Sequence, residues 1–96
     1  MTPADLQAAV TSRVKGLLLC SPSNPSGAVY SLEELQAVAE WARERDIWII
    51  SDEIYRLINF KGEGPAPSLL DLPPESVGPL VVVDGASKAF AMTGWR

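Results

Sequence analysis

An amine, a carboxylate, a phenol, an amide, a hydroxyl and a guanidinium stand at or beyond the ends of three apolar runs in this sequence. Lys88, preceded by Ser87, follows Leu80-Val81-Val82-Val83; Asp52 closes Ile47-Trp48-Ile49-Ile50-Ser51; Asn24 sits in the loop after Gly16-Leu17-Leu18-Leu19-Cys20. Tyr55 comes three residues past Asp52, and Arg96 ends the sequence. A lysine amine brought out of water becomes a nucleophile. A carboxylate holds a protonated ring nitrogen, a phenol and an amide hydrogen-bond an oxygen, and a hydroxyl with a guanidinium clamps a phosphate. The set is complementary to a ligand that carries a basic ring nitrogen, a phenolic oxygen, an aldehyde and a phosphate. Taken singly, each residue has a plainer role. A loop lysine is ordinarily solvated, an acid after a buried strand ordinarily caps a helix or pairs with a cation, and a tyrosine ordinarily packs.

The elements that carry these residues read as an α/β unit. Gly16 to Cys20 is a continuous apolar run, as expected of a strand buried on both faces of a parallel sheet. Ser21-Pro22-Ser23-Asn24-Pro25-Ser26-Gly27 then breaks regular structure with two prolines and a glycine. Ser31-Leu32-Glu33-Glu34 is a capping box, with Tyr30 placed to staple against Leu35. Leu32, Leu35, Val38, Ala39 and Ala42 follow at helical spacing, opposite Glu33, Gln36, Glu40, Arg43 and Glu44 on a solvated face. Trp41 flanks the stripe and reads as packing. Ile47 to Ile50 is a second strand, and strand, helix, strand at this spacing predicts parallel pairing. Leu57 to Pro79 is rich in proline and glycine and predicts an irregular connection with one helical turn near Ser68 to Leu72. Leu80 to Val83 is the third strand. A short helix over Pro3 to Val10, capped by Thr2, opens the sequence. In open parallel sheets ligands bind beyond the carboxyl ends of the strands. That rule predicts that Asn24, Asp52, Ser87 and Lys88 meet at one sheet edge.

Composition narrows the function classes. With 96 residues, 47% hydrophobic and 21% charged, the sequence has room for one domain at most. A net charge of -4 with scattered Lys and Arg argues against nucleic acid or an anionic membrane surface. The apolar runs are too short to span a bilayer, and the N-terminus has no signal-peptide pattern, so a cytoplasmic setting is expected. Without histidine, a His-based triad, relay or metal site is excluded. Cys20, the one cysteine, lies within an apolar run and reads as a small buried thiol.

Ser23-Asn24-Pro25-Ser26-Gly27, Ser51-Asp52-Glu53-Ile54-Tyr55 and Ser87-Lys88 with Met92-Thr93-Gly94-Trp95-Arg96, in this order, resemble the aspartate-aminotransferase-type (class I/II) family of fold-type-I pyridoxal-phosphate enzymes. The similarity covers nearly the whole chain. It implies a three-layer α/β/α fold, with residues 1–96 forming the central part of a mostly parallel sheet in the cofactor-binding large domain. It implies that Lys88 forms the Schiff base with pyridoxal 5'-phosphate and shuttles the substrate proton. By the same resemblance Asp52 pairs with the ring nitrogen, Asn24 and Tyr55 bind the phenolic oxygen, Asn24 also helps hold the substrate carboxylate, and Ser87 with Arg96 binds the phosphate. The implied activity is transfer of an amino group between an amino acid and a 2-oxo acid, in a homodimer. The Asp52-Glu53-Ile54-Tyr55 form and the Met92-Thr93-Gly94-Trp95-Arg96 ending resemble bacterial-type aminotransferases more than the related carbon-sulfur lyases, which often carry His where Tyr55 stands. Family parts that lie upstream and downstream of these motifs are missing, so the sequence reads as an internal piece of a larger enzyme. Two other readings are an aminotransferase-like ligand-sensing domain of a bacterial regulator and an inactive truncated product.

Overall fold

The structure, a computed structural model, describes residues 1–95. Three parallel strands form one sheet in the order β1 (Gly16–Cys20), β2 (Trp48–Asp52), β3 (Leu80–Val83). The register sets Leu18 beside Ile50 and Ile50 beside Val81, and it aligns Cys20, Asp52 and Val83 across the sheet at its carboxyl edge. This alignment places the loops after the three strands side by side, as the sequence predicts.

Helices cover one face. α1 (Pro3–Ala9) starts at a Thr2/Asp5 capping box and carries a proline in its first turn. α2 (Leu32–Arg43) starts at the expected Ser31/Glu34 box, where the Ser31 N–H donates to Glu34 Oε2 across 2.7 Å and the Glu34 N–H donates to Ser31 Oγ across 3.2 Å. Two backbone N–H donors that would otherwise lack helical partners are thereby satisfied. α2 buries Leu35, Val38, Ala39, Trp41 and Ala42 against Leu19 and Ile49 of the sheet, and Leu6 of α1 joins the same cluster. Burial of each large aliphatic side chain here is worth roughly 1.5–3 kcal/mol. Leu32, predicted on the apolar stripe, is instead partly exposed at 37%. Trp41 packs in the core, as read from the sequence.

The connection from β2 to β3 contains two short 3-10 turns, Leu69–Asp71 and Pro74–Ser76, where the sequence predicts one. Leu69 and Leu72 anchor the first of them in the core. Beyond β3 a four-residue helix, α3 (Ala86–Ala89), and a 3-10 turn (Thr93–Trp95) complete the described chain.

One expectation is corrected. The continuous apolar strands predict burial on both faces, yet each strand alternates between the two sides. Leu18, Trp48, Ile50, Val81 and Val83 all lie exposed on the face away from α2. The reason is topological: the Leu6 side of α1, α2 and the Leu69 turn all contribute to one core cluster, and among the described residues no element covers the other side. The α/β class holds, with the sheet and one of its two helical layers present.

Candidate functional site

The carboxyl edge gathers five of the six residues singled out in the sequence. Asn24 lies in the loop after β1, where the Ser23 N–H donates to the Ala28 carbonyl at 2.9 Å and the Gly27 N–H to the Ser23 carbonyl at 2.8 Å. Gly27 has φ +69, a conformation that favours glycine and lets this loop turn back on itself. The peptide bonds before Pro22 and Pro25 are both cis. Asn24 is exposed in this loop, and its Nδ2 donates to the Tyr55 hydroxyl across 3.2 Å. Ser23, Asn24, Pro25, Gly27 and Tyr55 line an open recess of about 230 Å³.

Asp52 is the last residue of β2 and half-buried. Its carbonyl accepts from the Ser21 N–H at 3.2 Å, and its Oδ1 accepts from the Ile54 N–H at the same distance. The second carboxylate oxygen has no hydrogen-bond donor among the described residues. Tyr55 sits in the turn that follows, and the Arg56 N–H closes that turn onto the Glu53 carbonyl at 2.8 Å.

Lys88 lies in α3, on the loop side of β3, with its Nζ 5.9 Å from the centre of the Tyr55 ring. An ammonium at that range is attracted by the ring face. The side chain is exposed, which departs from the expectation that the amine loses solvation. The approach to the Tyr55 ring does not by itself exclude water. Ser87 is half-buried in the same helix, and its carbonyl accepts from the Met92 N–H at 3.0 Å, folding the Ala89–Met92 segment back over α3. Arg96, the sixth candidate, lies outside the described residues.

The donor set fits pyridoxal phosphate. An acid with one oxygen free, a phenol whose oxygen accepts from Asn24 and whose own proton stays available, and an amine beside that phenol all open on one edge. The sequence reading missed Glu53 and Arg56, which stand behind this edge. Glu53 is 3% exposed, and its Oε1 accepts from Ser51 Oγ at 2.9 Å. The signal was present: Ile49, Ser51 and Glu53 recur with period two on the inward face of β2.

This fold is an α/β unit with a parallel sheet, the architecture in which ligands bind past the carboxyl ends of the strands. The chain belongs to the aminotransferase class I and II family, which it matches over residues 1–96. It is 46% identical over 94 residues to the aspartate/prephenate aminotransferase of Thermus thermophilus, a match that covers 98% of this chain and 23% of that protein. It is 44% identical over 91 residues to the aspartate aminotransferase of Streptomyces avermitilis, covering 95% of this chain and 22% of that one. Among solved structures, an aromatic aminotransferase from Pyrococcus horikoshii matches with a TM-score of 0.86 at 34% identity, over 100% of this chain and 25% of that chain. The chain thus spans about a quarter of the length of the relatives it matches. No helix among the described residues is long and apolar enough to cross a membrane.

Proposed function

We propose that these 96 residues are part of the cofactor-binding large domain of a pyridoxal-phosphate-dependent aminotransferase that moves an amino group between an amino acid and a 2-oxo acid. The observation that carries this reading is the convergence of Asn24, Tyr55 and Lys88, through a 3.2 Å hydrogen bond and a 5.9 Å amine-to-ring approach, on the edge where Asp52 ends its strand. Family membership supports the same cofactor.

Bound here, pyridoxal phosphate would supply an aldehyde that condenses with amines and a ring that withdraws the charge left when a proton departs a neighbouring carbon. Lys88 would be the covalent anchor, and its amine when free would take and return the proton at the substrate α-carbon. Asp52 would pair with the ring nitrogen and favour its protonated form, a pairing that strengthens as negative charge develops. Tyr55 would donate to the phenolic oxygen; Asn24, which donates to the Tyr55 hydroxyl, would contribute its amide to that oxygen and to the substrate carboxylate. Ser87 and Arg96 hold the phosphate, Arg96 as a permanently charged fork. The full-length protein is proposed to act as a cytoplasmic homodimer.

The test is direct. The full-length protein should purify with, or take up, pyridoxal phosphate, and borohydride reduction should fix the cofactor to the peptide containing Lys88. A panel of amino acids with 2-oxoglutarate then reads the transfer. A protein that takes up no cofactor, or that is fixed at another lysine, overturns the reading.

A further inference from the structure

Glu53 follows Asp52 in the chain but faces the other way, into the core at 3% exposure. Its backbone N–H donates to the Val83 carbonyl at 2.8 Å and so ties the end of β2 to the end of β3. Besides Ser51 Oγ, its Oε1 accepts from the Leu69 N–H at 3.4 Å. Its Oε2 faces Arg56 Nε at 4.0 Å. Arg56 is held in turn, with Nε donating to the Ala66 carbonyl at 3.1 Å and Nη2 donating to both Asp71 carboxylate oxygens at 3.1 and 3.2 Å. The Arg56 carbonyl also accepts from the Ala66 N–H at 2.9 Å.

A carboxylate buried this deeply costs hydration that only hydrogen bonds and a counter-charge offset. An apolar side chain of equal size would fill the space without that cost, so the charge needs another explanation. The network brackets Tyr55. Glu53 and Arg56 are the first and last residues of the turn that contains it, closed by the 2.8 Å bond from the Arg56 N–H to the Glu53 carbonyl. Both ends of the turn are fastened to the β2–β3 connection, while among the described residues the Tyr55 hydroxyl is hydrogen-bonded only by exposed Asn24 and its ring meets only the exposed Lys88 amine, at 5.9 Å.

We infer that Glu53, acting with Arg56, is a positioning residue that aims the Tyr55 phenol at Asn24 and Lys88 by anchoring the turn from Glu53 to Arg56 in the core. Its chemical consequence rests on the proposed cofactor reading, and its structural consequence does not. A turn released from Leu69 and Asp71 lets the ring swing off the edge, and small displacements at a reacting centre cost large factors in rate.

The experiment uses the full-length protein and the variants Glu53→Gln and Arg56→Gln. Glu53→Gln keeps the size and the Oε1 acceptor but turns an amide N–H₂ toward Arg56. Arg56→Gln removes the counter-charge from a half-exposed position and answers the same question should the buried variant fail to fold. In cofactor-free protein, amide exchange over residues 54–58 should rise by about tenfold while the core strands keep their protection. In loaded protein, the pH midpoint of the cofactor's visible absorbance should move by about half a unit or more. The double variant should do little more than either single one, because the two side chains act as a unit. Unchanged exchange, a rise spread evenly through the strands, or an unmoved midpoint overturns the inference. Wild type that takes up no cofactor overturns the proposed function instead, and the exchange measurement still decides on Glu53.

Discussion

Asn24 and Tyr55, 31 residues apart, meet through a 3.2 Å hydrogen bond from the Asn24 amide to the Tyr55 hydroxyl. That bond joins the loop after β1 to the turn after β2. Tyr55→Phe keeps the ring beside Lys88 and deletes only the hydroxyl. A phenolic oxygen that loses a hydrogen-bond donor becomes more basic and holds a neighbouring proton more tightly. In the full-length protein the pH midpoint of the cofactor absorbance should therefore rise, and kcat should fall by about tenfold. A midpoint identical to wild type would take Tyr55 away from the ring oxygen.

Lys88→Ala removes the amine altogether. Cofactor should still bind through the remaining polar residues but without a covalent link, so borohydride reduction should leave no fixed label. Turnover should drop by at least about a thousandfold, the usual scale for loss of a nucleophile that doubles as a base. Retained turnover would assign both roles to another residue.

Asp52→Asn replaces the charge proposed to pair with the ring nitrogen while keeping shape. Because this interaction grows in the transition state, kcat should fall by about a hundredfold or more while KM shifts only several-fold. Steady-state kinetics with any competent amino donor reads the split. A rise in KM with unchanged kcat would mean that Asp52 merely helps binding.

Gly78 lies where the β2–β3 connection crosses α2. A Cβ added there would come within 3.2 Å of the Arg43 Cα and 3.4 Å of its Cβ, and backbone atoms do not step aside. Gly78→Ala should lower stability by about 1–3 kcal/mol in denaturant melts, with cofactor chemistry otherwise intact. No loss of stability would show that the two segments can separate freely.

Asp5 accepts from the Thr2 N–H at 2.7 Å and from its hydroxyl at 2.9 Å, and these bonds, the backbone one first, hold its carboxyl below the ordinary value. A depressed folded-state pKa adds stability that is full above the unfolded-state value of about 3.9 and is lost as pH falls through the lower folded-state value. The start of α1 should fray in that acidic range, seen as faster amide exchange at Asp5 and Leu6. Asp5→Asn should remove the pH dependence.

Much of this architecture was legible in the sequence because its signals are local. The run Gly16 to Cys20 and the Ser31/Glu34 box appear in the structure with the predicted residues. β2 starts one residue later than predicted because the Ile47 N–H is used to close α2, donating to the Ala42 carbonyl at 3.0 Å. The two-sided burial expected of the strands failed for a non-local reason, since the cover of a parallel sheet comes from segments distant in sequence. The convergence of Asn24, Asp52 and Lys88 was readable from the rule that loops gather at carboxyl ends. The exposure of Lys88 was not, because water exclusion depends on neighbours that no motif specifies. Glu53 stood in the Ser51-Asp52-Glu53-Ile54-Tyr55 motif without a role of its own, although its spacing from Ile49 and Ser51 already pointed inward.

The alternation along β2 divides labour between adjoining acids. Glu53 and Ser51 look into the core and Asp52 looks out, a difference set wholly by the pleat. Inserting or deleting a single residue between Trp48 and Asp52 would exchange their settings, burying Asp52 and presenting Glu53 to solvent. Such a length change should be less tolerable than any point substitution in the strand, since it miswires the scaffold and the chemistry in one stroke.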